Sequence, residues 1–276
     1  IMSINGNNKS NSSESNLNQL MTENGLLRLT LNDSKRRNAL SEEMMSSLAT
    51  AVNNAEKNPD VKVIIISANG PAFCSGHDLK QMSSGRKNDD GGLAYFTQVF
   101  SSCSALMQQI VNHPKPVIAE VSGVAAAAGC QLVACCDLAI ASESARFVTP
   151  GVNIGLFCST PMVALSRNVS NKAAMEMLLT GEMIDAQKAE RIGLINRVEE
   201  HQALTQKTLE MANLIASKSS MVLETGKKAF YSQKDMPLSE AYEYTSQVMV
   251  DNMLKQDSKE GIDAFIEKRQ PRWQDK

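Results

Sequence analysis

Residues 121–131 read VSGVAAAAGCQ, and nearly every side chain in this segment is a hydrogen atom or a small group. The segment lies between the strand-like run KPVIAEV and the apolar run QLVACC, which suits a buried helix. Side chains this small allow a ligand to lie against the backbone, and the first-turn N–H groups of a helix have no partner within the helix. A buried helix that only packs closely needs the same residues, so this segment alone does not establish a ligand site.

A second glycine-bearing segment, AFCSGHDLK at residues 72–80, follows the apolar run VKVIIIS. Gly76 permits a positive φ or a close approach of another backbone, and Asp78 is of a type that caps helix N-termini. The segment is therefore predicted to turn from a strand into a helix and to leave backbone N–H groups free for a negative oxygen. Strand-to-helix corners with glycine are common, so this signal is also weak when taken alone.

The rest of the sequence predicts an α/β domain that ends in helices. The runs LLRLTL, VKVIIIS, LAIAS and ARFVT have the length and composition of strands, and helical segments separate them. Ser41 is predicted to cap the first long helix. We expect a disordered polar segment at residues 1–20, a core of repeated strand-strand-helix units at 21–202 and a helical subdomain at 203–276.

The composition argues against several classes of protein. A net charge of −2 and a pI of about 6.0 provide no basic surface for nucleic acid. No apolar run reaches the roughly 18 residues that a membrane-spanning helix needs, so we expect no membrane span. The six cysteines lack the spacing of a metal site and several lie among small apolar residues, so reduced structural thiols and no bound metal are expected.

Taken together, the two glycine-bearing segments are far more specific. FCSGHDLKQM and, about fifty residues later, KPVIAEVSGVAAAAGCQLVACCDLAIASESARFVTP resemble the crotonase (enoyl-CoA hydratase/isomerase) superfamily. The resemblance runs from about residue 26 to 270 and includes RRNALSEEM, LLTGEMIDAQKAERIGLINRV and DAFIEKRQPRW. It implies the crotonase fold, a spiral of repeated ββα units. It also implies a C-terminal helical subdomain that assembles the chain into a homotrimer or a dimer of trimers.

The resemblance further implies an oxyanion hole for an acyl-CoA thioester. In the family, two backbone N–H groups hold the thioester oxygen and stabilise the enolate-like anion of the reaction. By motif, the first donor matches His77 and the second matches Ala128. Removing one such donor from other enzymes costs about 3–4 kcal/mol in the transition state. Because both donors are backbone groups, alanine in place of glycine at positions 127 and 128 keeps them, although the methyl groups narrow the acyl channel.

Both glutamates of the family's hydratases are absent from this sequence. Gln131 stands at the first position and Gly151 at the second, so neither can act as a general acid or base. Such groups contribute typically 10²–10⁴-fold each, so hydratase activity is expected to be weak or absent. Glu120 and Glu143 are the stray acids nearby, and we expect both to be solvated.

Two alternatives to an acyl-CoA-binding protein without hydratase activity remain open. One is an active crotonase enzyme, such as an isomerase, decarboxylase or thioester hydrolase, with displaced catalytic residues. The His77 imidazole is the candidate group for that chemistry because it titrates near neutral pH. The other is a non-enzymatic regulatory subunit with a vestigial CoA pocket.

The resemblance also implies contacts with the CoA nucleotide. Its phosphates are expected to meet the basic turn before the first helix and the first donor loop. Phe265, Lys268 and Arg269 occupy the C-terminal motif that, in the family, helps to close a neighbouring subunit's site. A solvated basic turn would have the same composition. The candidate CoA contacts are Lys35, Arg36, Arg37, Ser75, Leu79 and Lys268.

The location and metabolic role of the chain are expected from the resemblance alone. It implies a protein of fatty-acid metabolism in the mitochondrial matrix, with a transit peptide that preceded the sequence shown. The CoA thioester is the only small molecule expected, as ligand or substrate, and no further cofactor is implied.

Overall fold

The computed structural model describes residues 15–276, and residues 1–14 of the predicted disordered segment lie outside the described part. Residues 17–20, which we also predicted to be disordered, instead belong to a strand, Leu17–Met21. This strand pairs antiparallel with the next one, and only Leu17 is buried. The strand directly follows a polar Asn/Ser-rich run and buries only one of its five side chains, so the sequence around it resembles that of a disordered segment.

The described strands form two sheets. The large sheet has the order β1-β2-β3-β5-β7-β10, and the small sheet has the order β4-β6-β8-β9. The strands are β1 Leu17–Met21, β2 Leu26–Leu31, β3 Val63–Ala68, β4 Ala72–Cys74, β5 Val117–Val121, β6 Val124–Ala126, β7 Leu138–Ser142, β8 Arg146–Val148, β9 Ile184–Asp185 and β10 Arg197–Glu199.

The α-helices alternate with pairs of strands and then continue alone to the C-terminus. They are α1 Glu42–Lys57, α2 Leu79–Gly85, α3 Leu93–Val111, α4 Ala128–Cys135, α5 Ser159–Leu165, α6 Asn171–Thr180, α7 Ala186–Arg191, α8 Leu204–Ala216, α9 Ser220–Gln233, α10 Leu238–Met253 and α11 Gln256–Ile266. Short 3-10 helices occur at Ser34–Arg36 and Pro150–Ile154. None of the helices in residues 15–276 is long and apolar enough to cross a membrane.

The predicted strand-strand-helix units are confirmed. In each unit the first strand (β3, β5 or β7) joins the large sheet and the second (β4, β6 or β8) joins the small sheet. Neighbours within each set run parallel. Each unit therefore brings the turn that follows its second strand to the same edge of the small sheet. The two glycine-bearing loops follow β4 and β6, which are direct neighbours.

Both faces of the large sheet are covered. Ile64 and Ile66 of β3 belong to the main apolar core, with residues of α1, α3 and α4. Val63 and Ile65 point to the opposite face, where α8 packs against the sheet. This arrangement explains the run of consecutive apolar residues in β3, because a parallel strand buried on both faces has no polar side.

The predicted helix caps are confirmed. The Ser41 hydroxyl accepts a hydrogen bond from the Met44 N–H at 3.2 Å at the start of α1. The Asp78 carboxylate accepts from the N–H groups of Lys80 and Gln81 at the start of α2. Each cap supplies an acceptor for N–H groups that have no partner within the helix, and it fixes where the preceding loop must end.

Candidate acyl-thioester site

The two glycine-bearing loops pack against each other. A Cβ atom on Gly129 would lie 2.1 Å from the Cys74 carbonyl oxygen, so only glycine fits at that point of contact. A Cβ atom on Gly76 would lie 3.0 Å from the Ala126 carbonyl oxygen and 3.4 Å from the Ala128 nitrogen. The close approach that small residues predicted is therefore made by one loop to the other, and it brings residue 76 beside the first residue of α4.

The two predicted donors, His77 N–H and Ala128 N–H, lie on either side of this contact. Within residues 15–276, neither N–H donates a hydrogen bond to a backbone or side-chain acceptor. The Ala128 N–H belongs to the first turn of α4, where no carbonyl of the helix can reach it. The geometry thus offers a pair of free donors to an incoming oxygen.

Ala127, just before the second donor, has an unusual backbone. Its φ is +49° and its ψ is −116°, a conformation that glycine adopts readily and alanine does not. Its N–H donates to the Val148 carbonyl at 2.9 Å, and its carbonyl accepts from the Gln131 N–H at 3.0 Å. These contacts hold the strained turn in place, so the loop keeps this conformation with alanine at position 127.

Gln131 is buried beside the second donor. Its side chain belongs to the wall of a cavity of about 450 Å³ between α3, α4, α5 and α9. Its Oε1 is buried and accepts no hydrogen bond within the described residues. Helical side chains cover the turn that precedes their own Cα, so this amide lies near the first turn of α4. A buried acceptor without a partner is costly, which favours a ligand or water that donates to it.

Gly151 lies in the 3-10 helix that follows β8, and it has no room for a side chain. A Cβ atom there would lie 2.9 Å from both the Cys158 sulfur and the Leu156 carbonyl oxygen. The local chain path therefore fills the space that a side chain at residue 151 would occupy. Reintroducing a carboxylate at residue 151 alone would displace the backbone around it.

The His77 imidazole does not face the cavity. It makes an edge-to-face contact with the Phe100 ring, with centroids 5.4 Å apart, in a niche between α1, α2 and α3. Burial lowers the pKa of this imidazole, and neither ring nitrogen has a hydrogen-bond partner within the described residues. These contacts give no support to His77 as the group that performs displaced acid-base chemistry.

The stray acids of the motif region lie away from the donors. The Glu120 carboxylate pairs with the Arg28 guanidinium and accepts from the Thr205 hydroxyl at 3.0 Å. It therefore lies on the face of the large sheet that α8 covers, and it is buried where we expected it to be solvated. Glu143 is exposed, as expected.

The basic turn before α1 is attached to the first donor loop. The Leu40 N–H donates to the Gly76 carbonyl at 2.8 Å, and the Ser75 N–H donates to the Arg37 carbonyl at 3.1 Å. Arg36 pairs with Asp78 at 3.3 Å and also with Asp33, so its charge is already balanced by carboxylates. Lys35 and Arg37 are exposed and form no salt bridge within residues 15–276.

The remaining candidate CoA contacts differ in their exposure. Ser75 is half-buried beside the basic turn, and the Leu79 side chain is 55% exposed at the start of α2. In the C-terminal motif, Phe265 is 85% exposed and Lys268 is exposed. Arg269 is instead bound within its own chain, by Glu260 and Glu267. The basic turn before α1 and the C-terminal motif thus each contain one arginine, Arg36 and Arg269, that is paired with carboxylates of this chain.

An ion-pair cluster, which the sequence did not reveal, attaches α9 to the core. The Asp137 carboxylate accepts from the Lys227 ammonium at 2.7 Å and from the Tyr231 hydroxyl at 2.9 Å. It also accepts from the Val117 N–H at 2.8 Å. These contacts place α9 against the cavity, with Tyr231 in its wall. Lys227 and Tyr231 are about ninety residues from Asp137 in the sequence, so no local spacing could have indicated this cluster.

The six cysteines are unpaired and buried in the described structure, as expected. Burial raises the pKa of the Cys74 and Cys130 thiols to about 12, so both stay protonated at neutral pH. Within residues 15–276 no cluster of three or more His, Cys, Asp or Glu side chains is arranged to hold a metal ion.

Comparison with known proteins identifies the family. Residues 21–276 match the family described as "Enoyl-CoA hydratase/isomerase". The chain belongs to this family. It is 49% identical over 261 residues to the rat protein named "Enoyl-CoA hydratase domain-containing protein 3, mitochondrial", a match that covers 95% of this chain and 85% of the relative. It is 51% identical over 249 residues to the human protein of that name, covering 90% and 80%.

Solved structures of family members confirm the predicted crotonase fold. A crystal structure of the human enoyl Coenzyme A hydratase domain-containing protein 3 has a TM-score of 0.89 at 48% identity and covers 94% of this chain and 100% of that one. An enoyl-CoA hydratase from Mycobacterium smegmatis has a TM-score of 0.90 at 44% identity and covers 94% and 99%. At these identities, the likeness extends from the fold to the family.

Proposed function

We propose that this family member binds an acyl-CoA thioester in an oxyanion hole formed by the His77 and Ala128 N–H groups, with weak or no hydratase activity. The observation that carries the proposal is the pair of free donors where the two loops meet, with no carboxylate at position 131 or 151. The two free N–H donors support thioester binding, and the absence of a carboxylate at both positions supports weak hydration.

The chain's own groups explain both halves of the proposal. Two backbone donors and the N-terminal end of α4 stabilise negative charge on the thioester oxygen. The Gln131 amide can hold a water or a polar substituent, but it has no useful basicity near neutral pH. Without a general acid or base, hydration loses typically 10²–10⁴-fold for each missing group.

The CoA phosphates are assigned to Lys35 and Arg37, because Arg36 is already paired with two carboxylates. The relatives named mitochondrial support placing the chain in that organelle, where an acyl-CoA-binding protein would serve fatty-acid metabolism. Large apolar side chains exposed on α10 and α11 support assembly into a homotrimer or a dimer of trimers. They include Leu238, Tyr242, Met249, Met253, Phe265 and Ile266.

The proposal is tested by calorimetric titration of the chain with butanoyl-CoA and crotonyl-CoA, together with a hydration assay on crotonyl-CoA. We expect saturable binding of both thioesters and hydration far below the rate of an ordinary hydratase. The absence of saturable binding would overturn the oxyanion-hole assignment. Hydration at an ordinary rate would overturn the inference drawn from the missing glutamates.

A substitution at Gln131 separates binding from proton transfer. Gln131→Glu restores one carboxylate in a side chain of the same length, so hydration should rise by about 10²-fold or more with little change in thioester affinity. Gln131→Met is the matched control, because it fills the same space without a titratable group. It should bind thioesters and show no gain in hydration.

A further inference from the structure

The cavity beside Gln131 continues along one face of α4. Ala128, Gln131 and Cys135 are spaced as residues on a single helix face, and Gln131 and Cys135 both line the cavity. The helix rises by about 10 Å between Ala128 and Cys135. An acyl chain whose thioester oxygen accepts from the Ala128 N–H would therefore be directed along this face and away from the donors.

Part of the cavity wall is suited to methylene groups. It includes Met107 and Val111 of α3, Ala134 and Cys135 of α4, and Ala164 of α5. Met107, Ala134, Cys135 and Ala164 are buried in the described structure, and Val111 is partly buried. Burying each CH₂ group against such a wall contributes about 0.8 kcal/mol.

Two cations line the cavity beside the C-terminal turn of α4, because Asn168, the neighbour of Arg167, donates to the Ala134 carbonyl at 2.9 Å. Arg167 and Lys234 both belong to its wall, and the Lys234 ammonium donates to the Arg167 carbonyl at 2.5 Å. The Arg167 guanidinium donates to the Val163 carbonyl at 3.2 Å. Neither cation forms a salt bridge within residues 15–276. Asp235 is the only carboxylate of the wall, so the two cations exceed the local negative charge.

We propose that this site accepts acyl-CoA thioesters whose acyl chain ends in a carboxylate, such as the monothioesters of medium-chain dicarboxylic acids. The inference rests on the proposed function, because it places the thioester at His77 and Ala128. A terminal carboxylate in this part of the cavity receives charge-assisted hydrogen bonds from Arg167 and Lys234. A terminal methyl group would instead lie beside two exposed cations and gain nothing from them.

The magnitude of the preference follows from the exposure of the two cations. Arg167 and Lys234 are both exposed, and exposed ion pairs contribute only up to about 1 kcal/mol. The preference for a carboxylate over a methyl group should therefore be about fivefold in affinity. Burial of the methylene groups and the thioester contacts are common to both kinds of ligand and cancel in the comparison.

The test compares octanoyl-CoA, suberoyl-CoA and 8-hydroxyoctanoyl-CoA by calorimetric titration of the full chain. These probes have the same chain length and differ only at the terminal carbon. We expect suberoyl-CoA to bind about fivefold more tightly than the other two. The double substitution Arg167→Gln, Lys234→Gln should remove that preference, so that suberoyl-CoA and octanoyl-CoA bind the variant equally well.

A matched control removes two positive charges at a different place in the chain. Arg197 and Lys218 are exposed beside α8, on the other side of the large sheet. Their double replacement by glutamine should retain the preference for suberoyl-CoA. A loss of the preference in this control would assign it to overall charge and overturn the proposal.

The remaining outcomes separate the inference from the proposed function. If octanoyl-CoA binds and suberoyl-CoA binds no more tightly, the carboxylate subsite is wrong while thioester binding stands. If 8-hydroxyoctanoyl-CoA matches suberoyl-CoA, polarity rather than charge is recognised, and the proposal is likewise overturned. If no probe binds, the proposed function itself fails.

Discussion

The two candidate donor loops both have a residue with positive φ directly before the donor, and they achieve this by different means. In the first loop the residue before the donor is Gly76, with φ +88°, and in the second it is Ala127, with φ +49°. Glycine takes a positive φ without penalty, whereas a non-glycine residue in a sparsely populated region costs about 1–3 kcal/mol. The geometry of the first loop is therefore permitted by its own sequence, and that of the second is imposed by the contacts around it.

The largest expected effect comes from the point at which the loops touch. Gly129→Ala places a Cβ atom 2.1 Å from the Cys74 carbonyl oxygen, and two backbones must separate to accommodate it. We expect a loss of about 3 kcal/mol or more in the free energy of unfolding, measured by urea denaturation. Gly226→Ala in α9 is the matched control, because no atom lies within 4 Å of the added carbon and the change should stabilise the chain. A similar result for both variants would show that the loops do not form this contact.

Gly76→Ala should have the next largest effect. It forces alanine to adopt φ +88° and places the methyl group 3.0 Å from the Ala126 carbonyl oxygen. The expected cost is about 2 kcal/mol in the free energy of unfolding, with weaker acyl-CoA binding because the His77 N–H moves. Denaturation and thioester titration measure the two effects. An unchanged affinity would contradict the role of this loop in binding.

Ala127→Gly should act in the opposite direction. Glycine relieves the strained backbone, and this gain exceeds the entropy that a new glycine adds to the unfolded chain, so stability should rise by about 0.5–1 kcal/mol. Ala126→Gly, one residue earlier in β6, is the control and should lower stability because alanine there is in an ordinary strand. If Ala127→Gly is destabilising, the second loop is not strained in solution.

The smallest expected effect is on the pH dependence of stability, and it comes from the His77 imidazole. The other candidate donor residue, Ala128, has only a methyl group. Burial lowers the pKa of His77 in the folded chain, so below its unfolded value of about 6.5 the unfolded state binds more protons. Stability should therefore fall on acidification from pH 7 to 5. His77→Phe should make this fall shallower. Some of it should remain, because burial also lowers the pKa of His113. Thermal denaturation of both proteins at several pH values measures the difference. A pH dependence that is the same in His77→Phe as in the unsubstituted chain would contradict the prediction.

The sequence alone determined the features that depend on local spacing. The caps at Ser41 and Asp78 and the strand-strand-helix repeats follow from residue types a few positions apart, and the resemblance of the two glycine-bearing segments to a known family implied the crotonase fold. The resemblance also placed the two candidate donors on loops that the structure brings together. The predictions of caps and strands succeeded because both are properties of short segments.

The tertiary structure decided everything that depends on distant contacts. It showed that Arg36 is already paired, that Gly151 has no room for a side chain and that Asp137 attaches α9 beside the cavity. It also made an edge strand of residues 17–20, because hydrogen bonds to β2 stabilise a segment that directly follows a polar Asn/Ser-rich run. Pairing, free space and charge balance are properties of neighbours in space, and neighbours in space are set by packing rather than by local sequence.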